Sequence, residues 1–121
     1  MDDLLQIHPE ALLSFAQQLD ERADDLESGL AAERAKVEGA VRRSGSLYTR
    51  DGRTAPVFKP MSSAVGKVLD RAEENVAVVT ATLRNDAMML RELVAAHREA
   101  EARAVSEWEA GEVQMKPRGA A

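Results

Sequence analysis

Residues 65–94, VGKVLDRAEENVAVVTATLRNDAMMLRELV, decide the fold of this chain. The central run Val76-Ala77-Val78-Val79-Thr80-Ala81-Thr82 is rich in β-branched residues, and in isolation its composition favours a strand. The wider spacing points the other way. Val65, Leu69, Ala72, Val76, Val79, Leu83, Ala87, Leu90 and Val94 recur in steps of three and four with no change of phase across the β-branched run. Such steps keep apolar side chains on one side of a helix, whereas a strand needs alternation.

A second stripe of the same kind precedes it: Leu12, Phe15, Leu19, Ala23, Leu26, Leu30, Val37 and Val41. Between the two lies one short Gly/Pro segment. Two long amphipathic helices with a single break predict an all-α fold, an antiparallel helical hairpin. Helix one is expected over about 9–43, the loop over 44–60 and helix two over about 61–110, giving a hairpin domain of residues 1–112 and a flexible tail at 113–121. Pro9 suits the first helical position, because the N–H it lacks would be unpaired there. Glu10 complements the helix dipole. Ser44-Gly45-Ser46 is the expected stop of helix one, and Gly111 that of helix two.

Composition agrees with a bundle. Hydrophobic residues make up 45 % of the 121 residues, but the aromatics are only Phe15, Tyr48, Phe58 and Trp108. Any core is therefore built from Leu, Val, Ala and Met, which are helix formers or helix-compatible core residues. Charged residues make up 31 %, and no apolar run approaches the roughly 20 residues that span a bilayer. The net charge of −5 argues against nucleic acid as the main partner. The charge is uneven: Arg42, Arg43, Arg50, Arg53 and Lys59 give acidic arms a basic tip. With no cysteine, the chain has no disulfide, no thiolate nucleophile and no Cys-based zinc site. Met1 to Gln6 carry two acids and lack the basic start and long apolar stretch of a signal peptide, so none is expected.

Little in the chain suggests catalysis. His8 and His97 are the only histidines. His97 and Glu101 stand one turn apart, but two ligands do not make a metal site. No phosphate-cradling or calcium-loop pattern occurs. The expectation is a non-enzyme with no cofactor and no metal.

Ala16, Leu13, Val68, Val78, Met88, Met89 and Leu93 widen the stripes beyond what one pair of helices covers. A four-helix bundle, formed by a homodimer or a heterodimer, is therefore predicted. The expected partner interface is Leu12, Phe15, Leu19, Leu26, Leu30, Val65, Leu69, Val76, Val79, Leu83 and Leu90. Helix two should also overhang helix one, unless Leu4, Leu5 and Ile7 reach across. In the connection, Leu47, Tyr48, Val57 and Phe58 are expected to fold back over the hairpin end, with Tyr48 and Phe58 as exposed recognition residues in the alternative.

The opening Leu5-Gln6-Ile7-His8-Pro9-Glu10-Ala11-Leu12-Leu13-Ser14-Phe15-Ala16 resembles the start of the EspC-like ESX secretion-associated proteins of actinobacteria, within the wider Trp-x-Gly (ESAT-like) superfamily of type VII secretion substrates and partners. The resemblance implies a small helix–turn–helix protein that lacks a signal peptide and acts as a dimer. Its partner would be another hairpin or the helical N-terminal region of a larger secreted effector. It would reside in the cytoplasm before export and then be secreted or surface-held. The resemblance further implies an export signal of the form Tyr-x-x-x-Asp/Glu after helix two. Here His97 with Glu101, or Trp108 with Glu112, has that spacing. No Trp-x-Gly stands at the turn; Gly45 and Tyr48 occupy that region. A cytosolic, self-associating coiled-coil module is the competing reading.

Overall fold

The computed structural model describes residues 8–47 and 49–115, with the side chains of 112–115 set aside. The order of elements is helix α1 (Pro9–Ser46), a single 3-10 turn (Pro56–Phe58) and helix α2 (Lys59–Met115). Among the described residues there is no strand, and the β-branched run of 76–82 is helical throughout. α1 and α2 pack side by side as an antiparallel hairpin, and their mutual packing is the main tertiary interaction of the chain. The opening motif residues before His8, together with Tyr48 and residues 116–121, lie outside the described residues.

Local chemistry explains the helices. Pro9 occupies the first turn of α1, and the first backbone bond runs from Leu12 N–H to His8 C=O at 3.0 Å. The His8 side chain makes no capping hydrogen bond. The threonine hydroxyls of the second helix are satisfied on the preceding turn: Thr80 donates to Ala77 C=O at 3.1 Å and Thr82 to Val78 C=O at 3.0 Å. A β-branched, polar stretch can therefore stay helical at small cost.

Both helix boundaries in the connection differ from the sequence expectation by a few residues. α1 runs on through Ser44-Gly45 to Ser46, and α2 begins at Lys59, directly after the 3-10 turn. Pro56 and Pro60 both sit in first turns, where a missing N–H costs nothing. At its far end α2 passes through Gly111 to Met115. A single glycine costs about 1 kcal/mol in a helix interior, which is too little to stop a long one.

The hairpin end is held by backbone bonds more than by apolar packing. Ala55 N–H donates to Gly45 C=O at 2.9 Å, and Thr49 donates to Ser46 C=O from both its N–H and its hydroxyl. Gly45 is buried because the loop lies against it: a Cβ there would come within 2.9 Å of the Thr54 methyl. Gly52 turns the chain at φ +72°, a conformation that favours glycine. Asp51 accepts from Arg53 N–H beside it at 3.1 Å. Phe58 is half-buried near Gly45, but Leu47 and Val57 are exposed and do not fold over the hairpin end. A tip closed by hydrogen bonds does not need them.

The innermost layer of the seam is made of small residues. Ala16, Ala23 and Ala87 are fully occluded, Val94 nearly so, and Thr80 is 2 % exposed. Each set repeats every seven residues, as in a coiled-coil seam. Small side chains at the line of closest approach let two backbones come near each other, so larger neighbours are pushed to the flanks. That arrangement corrects the expected stripes in two places: Ala16, expected beside the first stripe, lies in the innermost layer, and the second stripe shifts by one residue. Thr80, not Val79, takes the inward position, and Val79 is left 48 % exposed. The step from Val76 is four residues, and the Thr80 hydroxyl is accommodated because Ala77 accepts from it.

Candidate functional site

The two broad faces of the hairpin differ in kind. One is closed by ion pairs between the helices. Arg84 donates to Asp24 at 2.8 Å and also to Glu27; Arg91 pairs with Asp20 at 2.7 Å, and Arg98 with Glu10 at 3.3 Å. Nearer the tip Arg34 of α1 spans Glu38, Asp70 and Glu73. Its Nη1 is 3.0 Å from Glu73 Oε2 but is not aligned to hydrogen-bond it, so that contact is one of charge alone. Arg84, Arg91 and Arg98 recur every seven residues, which keeps them on one flank of α2.

This network sets the local electrostatics. The side-chain hydrogen bond from Arg84, aided by its charge and by a hydrogen bond from Thr80, holds the Glu27 carboxyl below the usual glutamate range, against a smaller opposing effect of desolvation. Arg34, through its hydrogen bonds with Glu38 and Asp70, and Arg84, through those with Glu27 and Asp24, are both pushed further up.

The other face is apolar and open. Phe15 and Leu19 of α1 and Met89, Leu90 and Leu93 of α2 line a groove of about 700 Å³, together with Asp86 and Glu92. Phe15 is 50 % exposed, and Leu26, Met61, Val68, Val79, Met89 and Leu93 are likewise exposed. Val79, Asp86 and Leu93 follow one another at seven-residue steps, two positions on from residues 77, 84 and 91. Two residues turn a helix by about 200°, which puts this row on the side of α2 away from Arg84 and Arg91.

The residues expected at a partner interface are thus divided. Leu12, Leu30, Val65, Leu69, Val76 and Leu83 are half-buried along the intramolecular seam. Phe15, Leu26 and Val79 are exposed, and Leu19 and Leu90 are half-buried in the open groove. Met89, Leu93 and Asp86 share that groove with them. The signal that could have separated the two groups was the heptad of small residues, whose phase locates the seam and hence its flanks.

Four residues were candidates for an export signal. His97 is half-buried, and its Nε2 lies 3.0 Å from Glu101 Oε1 one turn on. Trp108 is 68 % exposed, on the part of α2 beyond the last cross-helix pair at Arg98 and Glu10. Glu112 lies in the same helix, and its side chain is outside the described residues. The structure does not bring the His97–Glu101 pair together with Trp108; they are successive positions on one exposed rod.

No group of three metal-ligating side chains forms among the described residues. Among the described residues no helix is long and apolar enough to cross a membrane. The basic residues of the tip, Arg42, Arg43, Arg50, Arg53 and Lys59, are all exposed, with Arg53 3.7 Å from Asp51. No protein-family model, curated protein or solved structure matches the chain.

Proposed function

We propose that this chain is a type VII secretion-associated helical protein that acts by helix–helix association, either as an exported substrate or as a partner of a larger exported effector. The single observation that carries the association is the contrast between the two faces. One flank is closed by charge pairs. The other leaves Phe15, Leu26, Val79, Met89 and Leu93 exposed around an apolar groove. Large exposed apolar patches rimmed by polar residues mark interaction sites. Burying this face against two further helices completes a four-helix bundle. The assignment to secretion comes from the resemblance of residues 5–16 to the EspC-like opening.

In this reading the protein is not an enzyme and works without a cofactor. It is cytoplasmic before export and reaches the cell surface or medium without a cleaved signal peptide. The projecting segment 97–112 is presented to the secretion machinery. Replacing His97, Glu101, Trp108 and Glu112 together by Ala tests this in a host with an ESX-type system. Loss of export of the protein, or of its effector, is the expected result; unchanged export removes the signal assignment.

The exposed apolar face equally supports a cytosolic self-associating module. The same export assay on the unaltered chain separates the two readings, because such a module never leaves the cell.

A further inference from the structure

We infer that a second cleft, between the end of α1, the connection and the first turns of α2, is a binding site for a small monocarboxylate with an aliphatic body. It shares no lining residue with the Phe15–Leu93 groove, so the inference does not rest on the association reading.

The cleft exists because the charged flank changes character one heptad before the tip. Along that flank residues of the two helices face each other at fixed levels. Glu27 accepts a hydrogen bond from Thr80, and seven residues nearer the tip on each helix Arg34 meets Glu73 at 3.0 Å. A further step of seven on each helix gives Val41 and Gly66. Neither carries a charge, and nothing lies within 4 Å of a Cβ added at Gly66. In place of the next cross-helix pair there is an open cleft of about 400 Å³. Small-molecule sites span roughly 300–1,000 Å³.

The lining divides by chemistry. Val41, Val65 and Leu69, all half-buried, form an apolar floor. Arg42, Thr54 and Ser62 bring donors to its rim. Among the described residues Arg42 takes part in no ion pair, and the half-buried Thr54 and Ser62 make no side-chain hydrogen bond. A guanidinium offers a carboxylate two parallel N–H donors, and the hydroxyls can donate to the same group. The remaining polar residue is an acid, Glu38, one turn before Arg42. Arg34 Nε donates to it at 2.6 Å, so its charge is matched within α1. Repulsion by Glu38 disfavours a ligand with more than one negative charge. The wider tip draws an anion in: Arg43, Arg50, Arg53 and Lys59 are opposed there by Asp51 alone, which lies 3.7 Å from Arg53. One negative charge for Arg42 and a branched aliphatic body for the floor define the ligand class.

The probe is isocaproate, titrated into the isotope-labelled full chain and followed by NMR. Amide signals of Arg42, Thr54, Ser62 and Gly66 should shift and saturate at low millimolar concentration, while those of Phe15 and Leu93 stay in place. Isocaproamide, which lacks the charge, and inorganic phosphate, which lacks the body, should not reproduce the shifts. Arg42→Gln should weaken isocaproate binding about tenfold or more. Gly66→Leu fills the cleft from a position with open space and raises helix propensity. It should abolish saturation with the circular dichroism spectrum unchanged. The inference is overturned if isocaproate does not saturate these signals, if isocaproamide or phosphate shifts them equally, or if the folded Gly66→Leu variant binds as the unaltered chain does. N-acetyl-leucine separates two sources of the same chemistry: binding tighter than isocaproate assigns the site to a peptide C-terminus, and weaker binding assigns it to a free acid.

Discussion

Arg91 Nη2 lies 2.7 Å from Asp20 Oδ2, joining residues seventy-one positions apart across the hairpin. This pair fixes the relative height of α1 and α2 at mid-length, and its flank carries no large exposed apolar row. Both side chains are partly solvated, so the pair orients the helices more than it stabilises them. Asp20→Ala is expected to cost about 0.2–1 kcal/mol. Chemical denaturation should show the loss shrinking as salt rises, because exposed charge pairs are screened.

Acid should weaken the same flank. Glu27 is held below the usual glutamate range by its hydrogen bond from Arg84. A carboxylate whose folded-state pKa is depressed contributes stability that is complete above its unfolded value and is lost as pH falls through the folded one. Thermal unfolding followed downward from neutral pH should therefore show stability falling below about pH 4. Glu27→Gln should flatten that acid limb and leave the region near neutrality less stable than the unaltered chain.

The seam should tolerate little added bulk. Ala23 and Ala87 have no exposed surface. Ala87→Leu forces the helices apart and is expected to destabilise by about 1–3 kcal/mol. Thr80→Val, by contrast, keeps the branched shape and removes a hydroxyl that bonds Ala77 C=O in its own helix and makes a minor hydrogen bond to Glu27. Removing it should change stability by less than about 1 kcal/mol. Circular dichroism melts of the two variants check the contrast.

Two glycines of α1 should respond in opposite ways. Nothing lies within 4 Å of a Cβ added at Gly29, so Gly29→Ala should stabilise by about 0.4–1 kcal/mol through reduced backbone freedom of the unfolded chain. At Gly45 the added methyl meets the Thr54 methyl at 2.9 Å, beside the bond from Ala55 to Gly45. Gly45→Ala should loosen the connection, read as faster proteolytic cleavage between residues 49 and 55.

The two helices were legible because period is a local property. The three/four steps through Val76 and Leu83 outweighed the β-branched composition around them, and Pro9 marked the start of α1. The ends were less legible. Gly111 reads as a stop, yet the helix passes it, since one glycine's cost is small against many neighbouring helical bonds. Leu47 and Val57 read as buried because they are apolar, but the tip is closed by backbone hydrogen bonds to Gly45 and Ser46 instead. Of the candidate interface, the sequence named Phe15, Leu19, Leu26, Val79 and Leu90 but could not tell them from Leu12, Leu30 and Val76 on the seam.

The sequence by itself determined that this protein is a pair of long amphipathic helices with one turn between them and more apolar surface than two helices bury. Only the tertiary structure decided which side of each stripe faces inward. That choice turns on a rotation of one residue, about 100° of helix, and hydropathy is nearly the same on either side of it. Close approach at Ala16, Ala23, Thr80 and Ala87 settles the rotation by packing, and in doing so it puts the arginine pairs on one face and leaves the Phe15–Leu93 groove open on the other.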